Sequence, residues 1–397
     1  MTDLTLRGPN VGGPTFRGSE FGPAESSIVG DWWHSVDRWS LGAVLALIGL
    51  GLVLGLAASP PLAYKNDLWT YHYVVRHVIF VFLALGAIAT ISMSSLRRVR
   101  RLGVMIFAGA LLATALLPWL GTDFGKGATR WYSLGFFSLQ PSEFLKPAFV
   151  LAAAWIISGS YQRFGPPGRT ISGVVAVAIA AMLALQPDFG QAVLVLAVWS
   201  TMIFVSGAPI LALLGLGVLI GGAGAFAYTK SVHFAGRIDG YLAAEVDPNT
   251  QLAYAQTAIR EGGLFGVGAA QGSVKWTLPD AHTDFIIAVA AEEFGLILTL
   301  LIIALYLFIT LRALVRLLDE RNTFIRLAGT GLAVLFGLQA FVNMAVAIRL
   351  LPAKGMTLPF ISYGGSSMLA AAITLGMLLA LTRDRRADDA AAFRSAG

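Results

Sequence analysis

Long apolar runs separated by short polar segments make up most of this chain. A helix needs roughly 20 predominantly apolar residues to cross a bilayer, and about ten runs come close to or reach that length. They lie approximately at 40–59, 73–95, 103–120, 143–159, 171–187, 189–207, 209–228, 284–312, 325–347 and 363–382. The pattern predicts an all-α polytopic integral membrane protein, a bundle of about ten transmembrane helices.

The two ends of the chain are polar. Residues 1–38 are rich in Gly, Pro and Ser and lack the basic and then apolar pattern of a cleavable signal peptide. We therefore expect a disordered N-terminal tail that becomes interfacial near Trp32 and Trp33, because tryptophan favours the headgroup level. Residues 39–382 form the predicted transmembrane domain, and residues 383–397 form a C-terminal tail.

The distribution of basic residues predicts the orientation of the bundle. Cytoplasmic loops are enriched in Lys and Arg. If the N-terminus lies inside, the inner segments hold the larger share of arginine, including the run Arg97, Arg98, Arg100 and Arg101. An even number of spans returns the C-terminus to the same side. Both ends are therefore expected in the cytoplasm.

Three outer segments are longer than simple connections require, namely 121–142, 229–283 and 348–362. The largest of them, 229–283, lies between the seventh and eighth spans and is far longer than an ordinary connection. The outer segments also hold the polar residues most suited to chemistry. We therefore expect the functional site to face outward.

Composition supports the membrane assignment and excludes several classes of function. Apolar residues make up 56% of the chain and charged residues 13%, whereas soluble domains have about 45–50% and about 25%. The absence of cysteine excludes disulfides, iron–sulfur clusters, thiolate zinc sites and cysteine nucleophiles. The net charge of +6 is explained by the inner arginines, so we expect no nucleic-acid partner.

The strongest candidate for chemistry lies where the largest outer segment enters the eighth span. There the sequence PDAHTDF at 279–285 places Asp284 at a helix start. An Asp in that position can cap the helix, and it can also be a catalytic base. Further along the span, Glu292 and Glu293 point to different sides of the helix. We expect at most one to share a cavity with Asp284 and the other to hold helices together.

Two other outer segments carry charged side chains. Glu143 and Lys146, at the start of the fourth span, are three residues apart and can pair on one helix face. The pair can be scaffold, or Lys146 can reach an anionic headgroup. Asp188 and Gln191, in the turn before the sixth span, have the spacing of a capping box. If that turn enters the cavity, Asp188 becomes a second carboxylate there.

Two segments have features of anion-binding sites. Before the tenth span, Gly364 and Gly365 allow close backbone approach, and amides at such a helix start bind phosphate, although a plain re-entrant turn explains the same sequence. In the largest outer segment, a phosphate-binding groove is suggested by Arg237, Arg260, Lys275, Gly262, Gly263, Gly266, Gly268 and Gly272. No nucleotide-binding or metalloprotease motif is present, so a nucleotide-driven pump is unsupported.

Four segments together resemble the SEDS family (shape, elongation, division and sporulation proteins), typified by FtsW and RodA. They are RWYSLGFFSLQPSEFLK at 130–146, QPDFGQ at 186–191, AHTDFIIAVAAEEFG at 281–295 and LLPAKGMTLPFISYGGSS at 350–367. The resemblance runs from the first span to the tenth. Residues 351–359 are more similar to the division-type FtsW branch than to RodA, although Arg349 stands where a small or apolar residue is expected.

This resemblance implies a peptidoglycan glycosyltransferase that polymerises lipid II into glycan strands and releases polyprenyl diphosphate. Asp284 matches the family's catalytic Asp, which implies a general base for the acceptor 4-hydroxyl, with inversion at the anomeric carbon. A divalent cation, Mg²⁺ or Mn²⁺, can bridge a carboxylate and the diphosphate, with unknown metal ligands. Substrate binding is expected of Arg130, Glu143, Lys146, Asp188, Arg237, His282, Lys354, Ser362, Gly364, Gly365 and Ser366.

The resemblance also implies a cellular setting. The expected partners are lipid II, the nascent glycan strand, the bilayer, a class B penicillin-binding protein of the FtsI type and other divisome membrane proteins. The expected location is the bacterial cytoplasmic membrane at the division septum. The alternatives are a lipid II flippase, a non-catalytic divisome scaffold and a RodA-type elongation polymerase. A flippase would concentrate polar residues near the midplane, and a scaffold would tolerate Asp284→Asn.

Overall fold

The computed structural model describes residues 28–123, 129–135, 137–162, 164–243, 247–248, 250–278, 280–352 and 355–384. The predictions for Lys354 and for most of both terminal tails therefore lie outside the described residues. Within them the chain is almost entirely helical, with one two-stranded antiparallel sheet of β1 (Tyr132–Ser133) and β2 (Ser138–Leu139).

The helices are numbered in chain order. They are α1 (Ile28–Ser35), α2 (Arg38–Ala58), α3 (Pro60–Lys65), α4 (His72–Ser92), α5 (Leu96–Leu120), α6 (Pro141–Gly159), α7 (Gly168–Leu185), α8 (Phe189–Val205), α9 (Ile210–Lys230), α10 (Val232–Leu242), α11 (Gln251–Gly262), α12 (Ile286–Leu318), α13 (Thr323–Ala347) and α14 (Gly365–Leu381). A 3₁₀ turn, Val274–Trp276, lies between α11 and α12.

Ten of these helices match the ten predicted spans. In the described residues, seven are long and apolar enough to cross a membrane, namely α2, α4, α5, α6, α7, α12 and α13. Three shorter apolar stretches, Phe189–Val205, Leu214–Lys230 and Gly365–Leu381, supply the others. The predicted all-α membrane bundle is therefore confirmed. Of the remaining helices, α10 and α11 give the largest outer segment a regular structure.

Two spans differ from their predicted limits by more than three residues. Helix α5 begins at Leu96 and so includes the four arginines at positions 97, 98, 100 and 101. A membrane helix can include them at its end, because long basic side chains can extend toward water. Helix α12 extends to Leu318 but is interrupted at Gly295, whose φ of 79° and ψ of −174° are not helical. An added Cβ there would approach the amide nitrogen of Gly266 within 2.4 Å, so only glycine fits this junction.

Two helices are the most buried of the seven long spans. The most apolar windows of α6 and α13 are 72% and 67% buried inside the protein, compared with 17% for α5. Because these two helices face protein on nearly all sides, their polar side chains contact other helices rather than lipid. Helix α9 is the opposite case, since its described side chains include none that is buried.

The two ends of the bundle differ in character. At the end that we call the site end, the connections 59–71, 121–140, 186–188, 231–285 and 348–364 join the spans. The opposite end carries the exposed arginines at the start of α5 and the buried Asp37, which pairs with Arg312 at 2.7 Å. There burial raises the pKa of Asp37, but the hydrogen bonds from Arg312 and Ser40 outweigh burial, so the pKa lies below its usual value.

Candidate functional site

Asp284 lies in a turn that leads into α12 and not in the helix itself. Residues 280–285 form this turn, and Phe285 is the residue at the helix cap. The amide of Asp284 donates to the carbonyl oxygen of Asp280 at 3.1 Å. Asp284 therefore lies one residue before the helix cap. The side chain is half-buried and lies beside Gly355, where an added Cβ would be 3.1 Å from Asp284 Oδ2.

The segment before α14 is fastened to this turn by hydrogen bonds. Ser362 Oγ donates to the carbonyl oxygen of Thr283 and accepts from the amide of Leu358 at 2.8 Å. The amide of Tyr363 donates to the carbonyl oxygen of His282 at 2.9 Å. These contacts place two predicted site residues, Ser362 and His282, next to Asp284 in the fold. Ser362 is buried and its hydroxyl bonds the protein itself.

An aromatic cluster covers the same turn. The ring of His282 lies 6.0 Å from Tyr73 and 5.6 Å from Tyr363, measured between ring centroids. Tyr363 also stacks on His77, at 6.2 Å. Burial raises the pKa of Tyr363, whereas the nearby Arg76 acts to lower it. The cluster packs the end of α4 against the turn and limits the positions open to His282.

Gly365, the first residue of α14, allows this helix to pack closely against α4. A Cβ added to Gly365 would lie 2.4 Å from the ring of Phe80 on α4, so glycine permits this close contact. Ser366, also buried, donates to the carbonyl oxygen of Ser138 at 2.7 Å and accepts from the amide of Gln140 at 3.1 Å. Gly364 caps the helix without a side-chain bond. The roles predicted for these residues in substrate binding stay predictions.

A second polar group lies inside the bundle. Lys146 donates to both carboxylate oxygens of Glu143 at 3.0 Å and to Gln339 Oε1 at 3.0 Å. Gln191 Nε2 donates to Glu143 Oε1 at 2.7 Å. The predicted pairing of Glu143 with Lys146 is realised, and all four residues are buried. Lys146 is 2% exposed, so its side chain lies inside the protein.

Arg130 and Asp188 extend this group toward the site end. Arg130 Nε donates to the carbonyl oxygen of Gln186 at 2.7 Å, and Nη2 donates to that of Pro187 at 2.8 Å. Asp188 caps α8 by position, although its carboxylate forms no side-chain cap bond of standard geometry. Burial raises the pKa of Asp188, and the charge of Arg130 and the amide of Gln191 only partly oppose this.

Helix α13 connects the polar group around Lys146 with the turn that carries Asp284. Gln339 accepts from Lys146, and four residues later Asn343 donates to the carbonyl oxygens of Asp284 at 2.9 Å and Met356 at 2.5 Å. Sequence reasoning missed both amides. The signal was a pair of amide side chains, four residues apart, in an otherwise apolar span. Such residues face the protein interior in a membrane bundle.

Glu292 and Glu293 hold the largest outer segment against α12. Glu292 Oε1 accepts from the amides of Ser273 at 2.6 Å and Val274 at 2.8 Å. Glu293 pairs with Lys275 at 2.5 Å and accepts from the amide of Ala270 at 2.8 Å. Both glutamates therefore have an anchoring role, which agrees with the expectation that at most one of them shares a cavity with Asp284.

The suggested phosphate-binding groove is not formed as expected. Lys275 is buried and its charge is neutralised by Glu293. The glycines Gly262 and Gly266 pack against the backbone of α12, where a Cβ would lie 1.8 Å and 2.2 Å from carbonyl oxygens. Arg237 lies in α10, and its side chain is outside the described residues. Packing, rather than anion binding, accounts for these described side chains.

Arg349 stands where a small or apolar residue was expected, and its long side chain reaches the end of α10. Its Nη2 atom donates to the carbonyl oxygens of Tyr241 at 3.0 Å and Ala243 at 2.5 Å. These carbonyls lie at the end of α10. A small residue at 349 would leave that end of α10 without these two bonds, so Arg349 holds part of the largest outer segment to the end of α13.

Comparison with known proteins identifies the family. The profile of the cell cycle protein family FtsW/RodA/SpoVE matches residues 38–387. A "probable peptidoglycan glycosyltransferase FtsW" of Caulobacter vibrioides is 40% identical over 367 residues, covering 92% of this chain and 94% of the relative. One of the same description from Trichlorobacter lovleyi is 35% identical over 348 residues, covering 85% and 90%.

Solved structures agree with this assignment. One, described as showing structural coordination of polymerization and crosslinking by a peptidoglycan synthase complex, is 28% identical with a TM-score of 0.75 and covers 89% of this chain and 99% of that chain. The rod shape determining protein RodA of Thermus thermophilus is 28% identical with a TM-score of 0.64 and the same coverage. The chain belongs to the FtsW/RodA/SpoVE family of cell cycle proteins.

Proposed function

We propose that this chain is a peptidoglycan glycosyltransferase of the FtsW type, which polymerises lipid II during cell division. The relatives described above as FtsW, at 35–40% identity over most of the chain, support this activity and favour the division type over the RodA type. The observation that carries the chemistry is the position of Asp284, a half-buried carboxylate at the site end of a membrane bundle.

The proposed reaction needs a base at the membrane surface. The substrate keeps its polyprenyl tail in the bilayer, so its sugars lie at the level of the bundle end. Asp284 takes the proton from the acceptor 4-hydroxyl as the oxygen attacks the donor's anomeric carbon. The bond from that carbon to the diphosphate breaks, and the electron pair leaves with the diphosphate. A single displacement inverts the anomeric carbon.

The surrounding residues orient this base. Asn343 holds the backbone of Asp284, and Ser362 holds that of Thr283. Because both contacts use backbone carbonyls, they fix the turn that carries the Asp284 carboxylate. A base held in this way needs little reorganisation in the transition state.

The charge on the leaving diphosphate needs compensation. We assign this role to Lys354 and Arg237, which belong to the site-end connections. Arg130 and Lys146 act as positioning residues, since their described hydrogen bonds hold the turn at 186–187 and the Glu143 carboxylate. We also assign substrate-binding contacts to His282, which lies in the same turn as Asp284.

A divalent cation at this site would need ligands from both the protein and the substrate. In the described residues, no group of three His, Asp or Glu side chains is arranged to hold a metal ion. Mg²⁺ is commonly held by one or two carboxylates together with substrate phosphates. Asp284 or Asp188 would therefore supply the protein ligand, and the diphosphate would supply the others. The ion would add positive charge near the leaving group.

The family and the orientation of charge support a cellular setting for this activity. We place the chain in the bacterial cytoplasmic membrane at the septum, with both termini in the cytoplasm and Asp284 facing outward, because arginine is concentrated at the opposite end. The related solved structure is a peptidoglycan synthase complex. By analogy we assign a class B penicillin-binding protein of the FtsI type as partner, together with other divisome membrane proteins.

Reconstitution tests this function directly. The purified chain and its FtsI-type partner are placed in vesicles with labelled lipid II, and the products are separated by length. Glycan polymer is the expected result. Transbilayer movement of lipid II without polymer would support a flippase, and the absence of both reactions would support a scaffold. Rescue of elongation but not of division in depleted cells would favour a RodA-type role.

A further inference from the structure

A cavity of about 310 Å³ lies beside the Asp284 turn and is distinct from the polar group inside the bundle. Its floor is formed by buried residues at the end of α2, in α3 and in the segment 274–282. Exposed residues form its mouth, namely Lys65, Trp276 and Thr277. Its volume lies at the lower end of the range for small-molecule sites.

The wall of this cavity continues into the catalytic turn. Asp280, Ala281 and His282 line it, and the carbonyl oxygen of Asp280 accepts the amide of Asp284 at 3.1 Å. A ligand in the cavity would therefore contact the same six-residue turn that carries the proposed base. Helix α2 is a candidate span, and its end at Ala58 lines the cavity. The cavity thus lies where a bilayer surface meets the site end.

The chemistry of the lining suits a sugar with a negative substituent. Trp276 is 57% exposed and makes an edge contact with Tyr64 at 6.4 Å, so it offers a large apolar face next to polar groups. The C–H face of a sugar ring can pack on such a face. Among the described residues, Lys65 has no ion pair within 4.0 Å.

The second lysine of the cavity does not offer its charge to a ligand. Lys275 is 5% exposed and bonded to Glu293. The positive charge available at the mouth is therefore that of Lys65, which is exposed to solvent. The cation and the aromatic face together specify one orientation of the bound ligand. Its sugar ring lies over Trp276, and its anionic group points toward Lys65.

We propose that this cavity, the Lys65–Trp276 cavity, binds a sugar ring of the lipid-linked substrate, with Trp276 packing on the ring and Lys65 binding an anionic group attached to it. The inference rests on the proposed polymerase function. Two groups of the substrate share the required charge, namely the diphosphate and the carboxylates of the stem peptide. Both are attached to the same sugar.

Steady-state polymerisation of lipid II by the complex with its FtsI-type partner tests this proposal. We expect Trp276→Ala and Lys65→Gln to raise KM by about five- to thirtyfold. For Trp276→Ala kcat stays nearly unchanged, because the ring packs alike on the ground state and the transition state, and for Lys65→Gln kcat also falls if the bound anion is a leaving diphosphate. Trp276→Phe keeps an aromatic face and is expected to restore most of the affinity.

The chain offers matched controls. Trp69 is also 57% exposed, also makes an edge contact with a tyrosine, and lies at the same end of the bundle, but it does not line the cavity. Trp69→Ala and Lys230→Gln are therefore expected to keep the wild-type KM. Thermal melting of each variant verifies that it is folded.

The outcomes separate this proposal from the function on which it rests. If wild type forms no polymer, the proposed function fails. If wild type polymerises and the Trp276 and Lys65 variants keep KM within twofold of the controls, the cavity does not bind substrate. Lipid II with amidated stem-peptide carboxylates distinguishes the two anions. Loss of the Lys65→Gln effect with this substrate identifies the carboxylates, and its persistence identifies the diphosphate.

Discussion

Replacement of Lys146 by methionine removes one partner of a buried ion pair. Lys146 and Glu143 are 2% and 4% exposed, and the ammonium bonds both carboxylate oxygens at 3.0 Å. In Lys146→Met the Glu143 carboxylate keeps the amide of Gln191 as its described side-chain partner. An uncompensated buried charge costs about 3–5 kcal/mol. We expect a loss of unfolding free energy of that size, because methionine preserves most of the side-chain volume.

The double variant gives the sharper test. In Glu143→Gln with Lys146→Met, no charge remains and the new amide oxygen can still accept from Gln191 Nε2. We expect the double variant to be more stable than Lys146→Met alone, with a coupling of about 1–3 kcal/mol between the two sites. Lys230→Met, at an exposed position, serves as control and is expected to change stability by less than about 0.5 kcal/mol.

Denaturant unfolding of the detergent-solubilised protein measures these differences. Five proteins, namely wild type, Lys146→Met, Glu143→Gln, the double variant and Lys230→Met, are compared at one pH and one detergent concentration, with helical circular dichroism as the signal. If the cost of the double change equals the sum of the two single costs, the residues do not interact as a pair. If Lys146→Met is as stable as Lys230→Met, the charge is not buried as the structure shows.

Three further predictions follow from single positions. Gly355→Ala places a Cβ 3.1 Å from Asp284 Oδ2, so we expect at least a severalfold loss of kcat with an unchanged melting temperature, and equal kcat would contradict the contact. Burial holds the pKa of Asp188 above its usual value of 3.8, so the native protein loses stability as the pH rises through the raised pKa. Melting curves from pH 3 to pH 8 should then show that Asp188→Asn has no advantage near pH 3 and an advantage that grows as the pH rises above 3.8. Gly365→Ala forces a Cβ to within 2.4 Å of the Phe80 ring, so we expect a loss of about 1–3 kcal/mol, and unchanged unfolding would show that α4 and α14 pack less closely.

The spans could be predicted because their signal is local. An apolar run of about 20 residues specifies a membrane helix without reference to the rest of the chain. The same locality explains the pairing of Glu143 with Lys146, which are three residues apart on one helix. The position of Asp284 at a loop-to-helix boundary also followed from the local sequence.

The remaining features depend on contacts between distant segments. Asn343 reaches Asp284 across 59 positions of the chain, and no local pattern identifies which backbone an amide in a span will bond. The interruption of α12 at Gly295 follows from the close approach of the segment 262–266. A single glycine in an apolar run is common in membrane helices, so the sequence alone did not distinguish this position.

The binding partners of Glu292 and Glu293 could not be predicted for the same reason. Glu292 and Glu293 bond backbone amides and a lysine between residues 270 and 275. Helical periodicity correctly placed their side chains on different sides of α12, but it carried no information on the fold of the outer segment. That segment covers both sides of the helix start, so both carboxylates meet it.

The rate of lipid II polymerisation by Asp284→Asn tests the central claim most directly. Asparagine keeps the shape of the side chain but cannot accept a proton, and a general base contributes about 10²–10⁴ in rate. Asp67→Asn is the matched control, since Asp67 is exposed at the same end and asparagine tolerates its φ of 54°. The account predicts a loss of at least about 100-fold for Asp284→Asn and none for Asp67→Asn. Wild-type polymerisation by a folded Asp284→Asn protein would contradict it.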